Sequence, residues 1–190
     1  NNENKNKQSS YSMDFDGSQY IDCGDSDDFS FGDSYNDSPF SVSFWVKLDG
    51  LNGNTNVFIG KDSGSPNREY AIGMFGGSRR IRFFIKNQGG NSQQSIDSTN
   101  QIADNTWYHI VVTYDGRGQN DAADGMTIYI DSNVEVPTFI TKQTYTAMDN
   151  TSADFTIGKY ASSSSEINGQ LDAVSIFNYA LSSSQITTLY

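Results

Sequence analysis

The feature that most constrains the fold is a period-two alternation of apolar and polar residues, which recurs between clusters of Gly, Asn, Asp and Ser. In the first clear example, Phe40, Val42, Phe44, Val46 and Leu48 alternate with Ser41, Ser43, Trp45, Lys47 and Asp49. Shorter alternations begin at Arg80 and Met126, and Trp107–Tyr114 is apolar on both faces. Short alternating strands separated by turn residues are typical of a β sandwich. The pattern therefore predicts an all-β fold whose only helix is a short C-terminal turn.

The composition fits one globular domain that binds neither nucleic acid nor membrane. Twelve Phe, eleven Tyr and two Trp in 190 residues can form a sizeable aromatic core. No run of about 18 apolar residues occurs, so no membrane insertion is expected. The net charge of −11 repels phosphate backbones, so we expect no nucleic-acid partner. Residues 1–10 are polar and aperiodic and are predicted to be a linker or disordered N-terminus, with the folded domain over 11–190.

Motifs at both ends of the chain identify a family. The C-terminal stretch Ile167–Tyr190 reads INGQLDAVSIFNYALSSSQITTLY, and its Ser182 and Gln185 have the spacing of a capping box. Near the N-terminus, MDFDG begins at Met13 and YIDCG begins at Tyr20. These motifs resemble laminin-G-like domains with the concanavalin A-like lectin/glucanase fold. The resemblance implies a two-sheet antiparallel jelly-roll sandwich, but this fold serves lectins, glucanases, adhesion modules and virion parts, so it leaves the function open.

The same resemblance implies a calcium site. Many members of the family bind calcium where the first and last strands meet, and calcium prefers several carboxylate and carbonyl oxygens. By this resemblance the metal ligands would be Asp16 and Asp172, joined by Asp25 or Asp28 from the acidic loop that follows the first hairpin. The alternative is that these carboxylates cap turns without a metal.

A second candidate site consists of aromatic residues on otherwise polar strand faces. Trp45, Phe84 and Tyr129 each interrupt the polar side of an alternation, and Tyr145 lies in a long turn-rich segment. If these side chains share one surface, they would form a platform on which the rings of a carbohydrate stack. The alternative is that they pack beneath loops or beneath the second sheet.

Catalysis is not expected from this sequence. The glucanases of this fold use paired glutamates close together on one strand, and retaining hydrolysis needs two carboxyl groups about 5 Å apart. The glutamates Glu3, Glu69, Glu135 and Glu166 each stand alone, and His109, in the middle of an apolar strand, is expected to be structural.

The sequence therefore predicts a non-catalytic binding or adhesion module of a larger extracellular, cell-surface or virion protein, which recognises glycan and is stabilised by calcium. One alternative is a structural decoration domain of a phage particle, whose partners are only neighbouring structural proteins. Another alternative is a divergent polysaccharide-degrading enzyme.

Overall fold

The computed structural model describes residues 11–87, 92–160 and 166–190, so the predicted linker over 1–10 lies outside the described residues. The strands are β1 (Met13–Asp16), β2 (Ile21–Asp22), β3 (Phe40–Gly50), β4 (Thr55–Asp62), β5 (Arg68–Phe75), β6 (Arg80–Lys86), β7 (Gln93–Gln101), β8 (Tyr108–Tyr114), β9 (Met126–Ile130), β10 (Asn133–Val134), β11 (Phe139–Lys142), β12 (Phe155–Ile157) and β13 (Asn168–Phe177). A short helix, α1, covers Ser183–Leu189, and 3₁₀ turns cover Asp27–Phe29 and Gln119–Gly125.

The strands form two antiparallel sheets that pack face to face. The six-stranded sheet has the order β1-β13-β3-β8-β9-β10, and the seven-stranded sheet has the order β11-β7-β6-β5-β4-β12-β2. The predicted all-β, two-sheet, jelly-roll-like sandwich is therefore confirmed. In the part of the chain that the structure describes, no helix has the length and apolar character needed to cross a membrane.

The main core lies between the two sheets and is rich in aromatic side chains. Phe40 stacks on Phe31 with ring centroids 4.3 Å apart and meets the edge of Phe83 at 5.8 Å. The apolar positions of β3 that the alternation predicted to face inward are all fully buried. Strand β3 thus forms as its sequence predicts, because every second side chain fills the space between the sheets.

Helix α1 covers the outer face of the six-stranded sheet. The predicted capping box is present: the Ser182 hydroxyl accepts from the Gln185 amide, and the Gln185 side chain accepts from the Ser182 amide. Ile186 of the helix and the preceding Leu181 pack on Val111 of β8 in a cluster separate from the main core. This return of the chain end covers the outer face of β3 and β8, and it explains why Ser41, Ser43 and Trp45 on the polar side of β3 are also buried.

Candidate functional site

The outer face of the seven-stranded sheet carries a continuous row of residues, one from each strand. In order across the sheet the row is Thr141, Ser95, Phe84, Ala71, Gly60, Thr156 and Asp22. Phe84 and Ala71 form a cluster with Val57 that is separate from the main core, which places the row on the outer face. We call this part of the outer face, with the groups that lie beside the row, the outer trough; its centre is covered, since Gly60, Ala71 and Phe84 are buried. A Cβ added at Gly60 would lie 3.1 Å from the Ala71 Cβ, so the floor is already closely packed.

A second, charged row runs beside the first. Asp62 pairs with Arg68 between β4 and β5, and Lys86 pairs with Gln93 between β6 and β7. Alternate residues of a strand point to the same face, so Lys86 shares the face of Phe84. Consistent with this placement, the Lys86 ammonium lies 4.9 Å from the centroid of the Phe84 ring.

Three aromatic rings cover the middle of the outer trough. Tyr160, which follows β12, meets Phe75 edge-on at 5.7 Å and Phe84 edge-on at 6.2 Å. Phe75 and Phe84 meet at 5.5 Å. Burial, helped by the negative charge of Asp62 and a hydrogen bond to it, raises the pKa of Tyr160 to about 12. Tyr160 therefore stays protonated at neutral pH and links the aromatic cluster to the charged row.

A cleft of about 100 Å³ opens at the β2 end of the outer trough. Its lining residues are Tyr20, Asp22, Asp62, Ser63, Asp154, Thr156 and Lys159. Tyr20 is 42% exposed, and the Lys159 ammonium lies 3.8 Å from the centroid of its ring. The cleft thus places a partly exposed aromatic residue beside carboxylates, hydroxyl groups and one cation, which can form hydrogen bonds with a small polar ligand.

The charges of the second row are close together and only partly compensated. The Asp62 Oδ1 atom accepts a hydrogen bond from the Gly64 amide at 2.9 Å and lies 3.6 Å from the Arg68 Nε atom. Burial raises the pKa of Asp62, against the opposing effects of the Gly64 amide and of the Arg68 and Lys86 charges. Burial, together with the positive charge of Arg68, lowers the pKa of Lys86. Two cations therefore face one carboxylate in this part of the outer trough.

Three of the four residues of the predicted aromatic platform are buried. Trp45, Phe84 and Tyr145 are 4%, 2% and 2% exposed, so they offer no free ring face to a sugar. Trp45 is covered by Tyr190, and the Tyr145 hydroxyl donates to Asp37 at 2.9 Å. The strand pattern shows that aromatic residues interrupt the otherwise polar side of a strand. It does not show that other segments of the chain cover these rings.

Tyr129, the fourth residue of that prediction, is half-buried on the outer face of the six-stranded sheet. It packs against the cluster of Val111 and Ile186, and its hydroxyl lies 3.5 Å from the Ser183 hydroxyl. It therefore lies on the opposite sheet from Phe84, and the two cannot form one platform. A separate role of Tyr129 in ligand binding stays a prediction.

The predicted calcium ligands do not come together. Strands β1 and β13 do pair, as the resemblance implied, but Asp16 lies opposite Asn168, four residues from Asp172. That separation is about 13 Å along the strand. The Asp16 carboxylate instead accepts from the amide and hydroxyl of Ser18, and the Asp172 carboxylate accepts from the Ala173 amide.

The acidic loop is also engaged elsewhere. Asp25 accepts from the buried Lys61 ammonium at 2.8 Å, and Asp28 lines a separate pocket of about 330 Å³ at the end of the sandwich. Within 11–87, 92–160 and 166–190, no group of three or more His, Cys, Asp or Glu residues could hold a metal ion. The residues Asp16, Asp25, Asp28 and Asp172 therefore do not fit a common calcium site.

The end pocket is less suited to a sugar than the outer trough. Its lining residues are Asp27, Asp28, Ser30, Phe31, Ser38, Pro39 and Asn178. Phe31 is buried, so the pocket presents no accessible aromatic ring. Asp27 accepts from Asn150, and the Ser30 hydroxyl lies within hydrogen-bond distance of Glu69 and Asn150. These bonds tie the acidic loop to the segment before β12.

The buried glutamates and the histidine have structural partners. Glu69 lies 3.1 Å from the Lys61 ammonium and accepts from the Thr151 amide, and Glu135 accepts from Asn100. The His109 Nε2 atom lies 2.9 Å from the Ser43 hydroxyl. Burial lowers the pKa of His109 to about 4, which keeps the ring neutral at physiological pH.

Sequence reasoning missed the residues of the outer trough, namely Tyr20, Arg68, Lys86, Lys159 and Tyr160. One signal was available, because glycine inside a strand often marks a place where a ligand or another backbone comes close. Gly60 in β4, which pairs with Ala71 of β5, is such a position. The pairing that brings them together, however, can be read only from the fold.

The family profile of the concanavalin A-like lectin/glucanases superfamily matches residues 15–187, and the chain belongs to this superfamily. This confirms the resemblance seen in the terminal motifs. No curated protein sequence matches the chain.

Several solved structures share the fold. Domain 4 of AbnA, an extracellular arabinanase from Geobacillus stearothermophilus in complex with arabinotriose, is 19% identical with a TM-score of 0.69, over 97% of this chain and 78% of that chain. The binding domain of Paraclostridial Mosquitocidal Protein 1 is 16% identical with a TM-score of 0.69, over 97% of this chain and 44% of that chain. The binding domain of Botulinum neurotoxin DC in complex with SialylT is 24% identical with a TM-score of 0.55, over 80% of this chain and 35% of that chain.

The chain thus spans less than half of the two toxin domains. At these identities the likeness shows the fold alone.

Proposed function

We propose that this chain is a non-catalytic glycan-binding module and that the outer trough is its binding site. The observation that carries the proposal is Tyr20, which is 42% exposed and has Lys159 over one face of its ring, beside a cleft lined by Asp22, Asp62 and Asp154. An aromatic face packs against the C–H groups of a sugar ring, and carboxylates accept hydrogen bonds from its hydroxyl groups. Two proteins of similar fold support the class of ligand, since one was solved with arabinotriose and the other with SialylT.

The non-catalytic part of the proposal depends on the glutamates. Glu69 and Glu135 are buried and bonded within the fold, and neither lines the outer trough. Hydrolysis by a carboxylate pair needs two Asp or Glu groups facing one substrate bond. Of the cleft's aspartates, Asp22 accepts from the Gly24 amide and Asp62 from the Gly64 amide, so both are engaged in turns. Purified protein is expected to release no reducing ends from β-glucan, alginate or arabinan; turnover that is lost in the Glu69→Gln or Glu166→Gln variant would instead favour a divergent enzyme.

The proposed setting is the extracellular space, the cell surface or a virion, where a glycan-binding module meets its ligands. The arabinanase of similar fold is itself described as extracellular. Expression of the parent protein with a tag, followed by fractionation, checks this part of the proposal.

The binding proposal is tested by calorimetric or NMR titration with oligosaccharides, beginning with arabinotriose. The Tyr20→Ala variant should lose about two- to tenfold in affinity, because a stacked aromatic ring contributes about 0.5–1.5 kcal/mol beyond its area. Tyr179→Ala is the matched control, because Tyr179 is 43% exposed but lies away from the trough, against Phe177. Absence of binding by any oligosaccharide at millimolar concentration would refute the proposal.

A second candidate function is a structural module that binds only neighbouring proteins. The exposed apolar side chains Val134, Val136, Phe139 and Ile140 lie in or beside β10 and β11, which are edge strands of the two sheets. Exposed apolar residues at open edges favour association with other proteins. In that case no sugar would bind, and the Phe139→Ser variant of the full parent protein would fail to enter its assembly.

A further inference from the structure

We infer that Arg68 and Lys86 bind an acidic substituent, a carboxylate or sulfate group, of the glycan held in the outer trough. This inference rests on the proposed function, which it deepens by naming the class of glycan. It is opposite to what the net charge of −11 suggests for the chain as a whole.

The first argument concerns the unused donors of Arg68. The other aspartate-bound arginines of the described ranges, Arg79, Arg82 and Arg117, contact their carboxylates at 2.6 Å. Arg68 lies 3.6 Å from Asp62, and its buried Nε atom makes no hydrogen bond within the described residues. A buried donor without an acceptor is unfavourable, and a planar guanidinium is well suited to two oxygens of one anionic group. Arg68 is therefore placed to accept an additional anion.

The second argument concerns Lys86. Its residue exposure is only 7%, and its ammonium lies over the Phe84 ring rather than against a carboxylate. Across 11–87, 92–160 and 166–190, no residue makes a hydrogen bond or ion pair with this ammonium. A largely buried cation is costly unless it is paired, so an anion arriving at Lys86 would remove a cost as well as form a bond.

The third argument concerns the local balance of charge. Among the described residues, Asp62 is the carboxylate whose charge acts on both cations, and it already accepts from the Gly64 amide and interacts with Tyr160. Arg68 and Lys86 therefore share one carboxylate, and an additional anion would give the second cation a partner. At physiological salt the Debye length is about 8 Å, so acidic residues far from this pair contribute little to the potential at it.

The fourth argument is position. Asp62 belongs both to the charged row and to the lining of the Tyr20 cleft, so the two binding features adjoin. Asp22 in β2 and Asp62 in β4 lie two strand spacings apart, which is about 10 Å. One oligosaccharide can therefore stack on Tyr20 and place an acidic group at Arg68 and Lys86.

The test compares trigalacturonate with its methyl ester, which has the same sugar skeleton without the charges. The protein should bind the acid at least about tenfold more tightly than the ester, since hydrogen bonds to charged groups are the stronger class. Affinity for the acid should fall as sodium chloride is raised from about 0.05 to about 0.5 M, whereas affinity for the ester should stay constant. Equal affinities for acid and ester would overturn the inference, and failure of all oligosaccharides to bind would overturn the proposed function itself.

Variants locate the effect. Arg68→Gln and Lys86→Gln should each lower the affinity for trigalacturonate about fivefold or more and lower that for the ester by a smaller factor. Arg117→Gln is the control, because it changes the net charge equally but removes an exposed pair with Asp115. An equal loss in the control variant would assign the effect to general electrostatics and overturn the inference. If a variant does not fold, the salt dependence of trigalacturonate binding by the unmodified protein still tests the inference.

A final experiment tests whether Arg68 and Lys86 bind an acidic glycan or any small anion. Sodium acetate and sodium sulfate should shift the amide resonances of residues near Arg68 only weakly, at concentrations above those of the trisaccharide. If the free anions bind as tightly as trigalacturonate, the sugar contributes nothing, and the assignment to an acidic glycan is wrong.

Discussion

Trp45 and Tyr190 stack on the outer face of the six-stranded sheet, with ring centroids 5.7 Å apart and planes inclined by 17°. His109 lies beside both rings, 5.0 Å from Trp45 and 5.9 Å from Tyr190. The side chain of Tyr190 therefore shields a tryptophan and a histidine that would otherwise reach the surface.

We expect Tyr190→Ala to expose Trp45 and to lower the free energy of unfolding by about 1–2 kcal/mol, because an aromatic pair contributes about 0.5–1.5 kcal/mol beyond its area. The measurement is urea unfolding together with the emission maximum in a Trp107→Phe background, where only Trp45 fluoresces. A blue emission maximum that does not move would show that another segment covers Trp45.

His109 predicts a pH dependence of stability. Its pKa is about 4 in the folded state, against 6.5 for an unperturbed histidine, so the folded state resists protonation. For a base with a depressed folded pKa, the stabilisation is complete above pH 6.5 and is lost as the pH falls from 6.5 towards 4. Between about pH 7 and pH 5 the loss should be about 2 kcal/mol.

The control for that measurement is His109→Gln, which removes the only histidine of the chain. The difference between the two unfolding curves isolates the histidine from the many aspartates. Parallel pH profiles of the two proteins would contradict a neutral, buried His109.

The packing beneath the outer trough can be changed at Gly60. We expect Gly60→Val to weaken oligosaccharide binding about tenfold or more, because a Cβ at this buried position would lie 3.1 Å from the Ala71 Cβ atom and would shift the strands that carry Asp62 and Arg68. Gly50→Val is the matched control, since a Cβ at Gly50 meets nothing within 4 Å. The measurement is a titration of both variants with the same oligosaccharide. Equal affinities would show that the ligand binds outside the outer trough.

The buried pair of Lys61 and Glu69 should be important for stability. Both side chains are fully buried, and Lys61 also donates to the carbonyls of Thr151 and Ala153. Lys61→Met leaves the Glu69 charge buried and unpaired, so we expect a loss of about 3–5 kcal/mol in urea unfolding. The exposed pair of Lys142 and Asp124 provides the comparison, and Lys142→Met should change stability by less than about 1 kcal/mol.

Calcium is checked by melting the protein with chelator and with added calcium. Because Asp25 is bound to Lys61 and Asp16 to Ser18, we expect the melting temperature to stay within about 1 °C. A rise of several degrees with calcium, abolished in Asp172→Asn, would confirm the calcium site predicted from the family resemblance.

The local sequence pattern was sufficient to predict the strands and the C-terminal helix, but it was not sufficient to predict the residues of the candidate site. The alternation in β3 and the capping box at Ser182 depend on neighbours in sequence, and both are present as predicted. The burial of Trp45 depends on Tyr190, at the far end of the chain, and the alternation within one strand cannot reveal this contact. Asp16 and Asp172 were placed on the correct pair of strands, but their register separates them.

The outer trough was hidden for a similar reason. Gly60 and Ala71 look unremarkable along the chain and become neighbours in the outer trough only when β4 and β5 pair and Phe84 lies alongside. Pairing between strands is set by long-range packing and by bulges such as the one between Val57 and Ile59.

The row across the outer trough takes one residue from each of seven strands, between Asp22 and Thr141. A ligand in the cleft at the β2 end of this row would contact residues in or beside β2, β4 and β12 and act as a non-covalent brace across segments that are distant in the chain. Because such a ligand binds only the assembled sheet, its binding energy would add to the energy needed to open any of those three strands. Saturating glycan should therefore slow amide hydrogen exchange in β2, β4 and β12, including the short edge strand β2, and should protect this end of the domain from proteases.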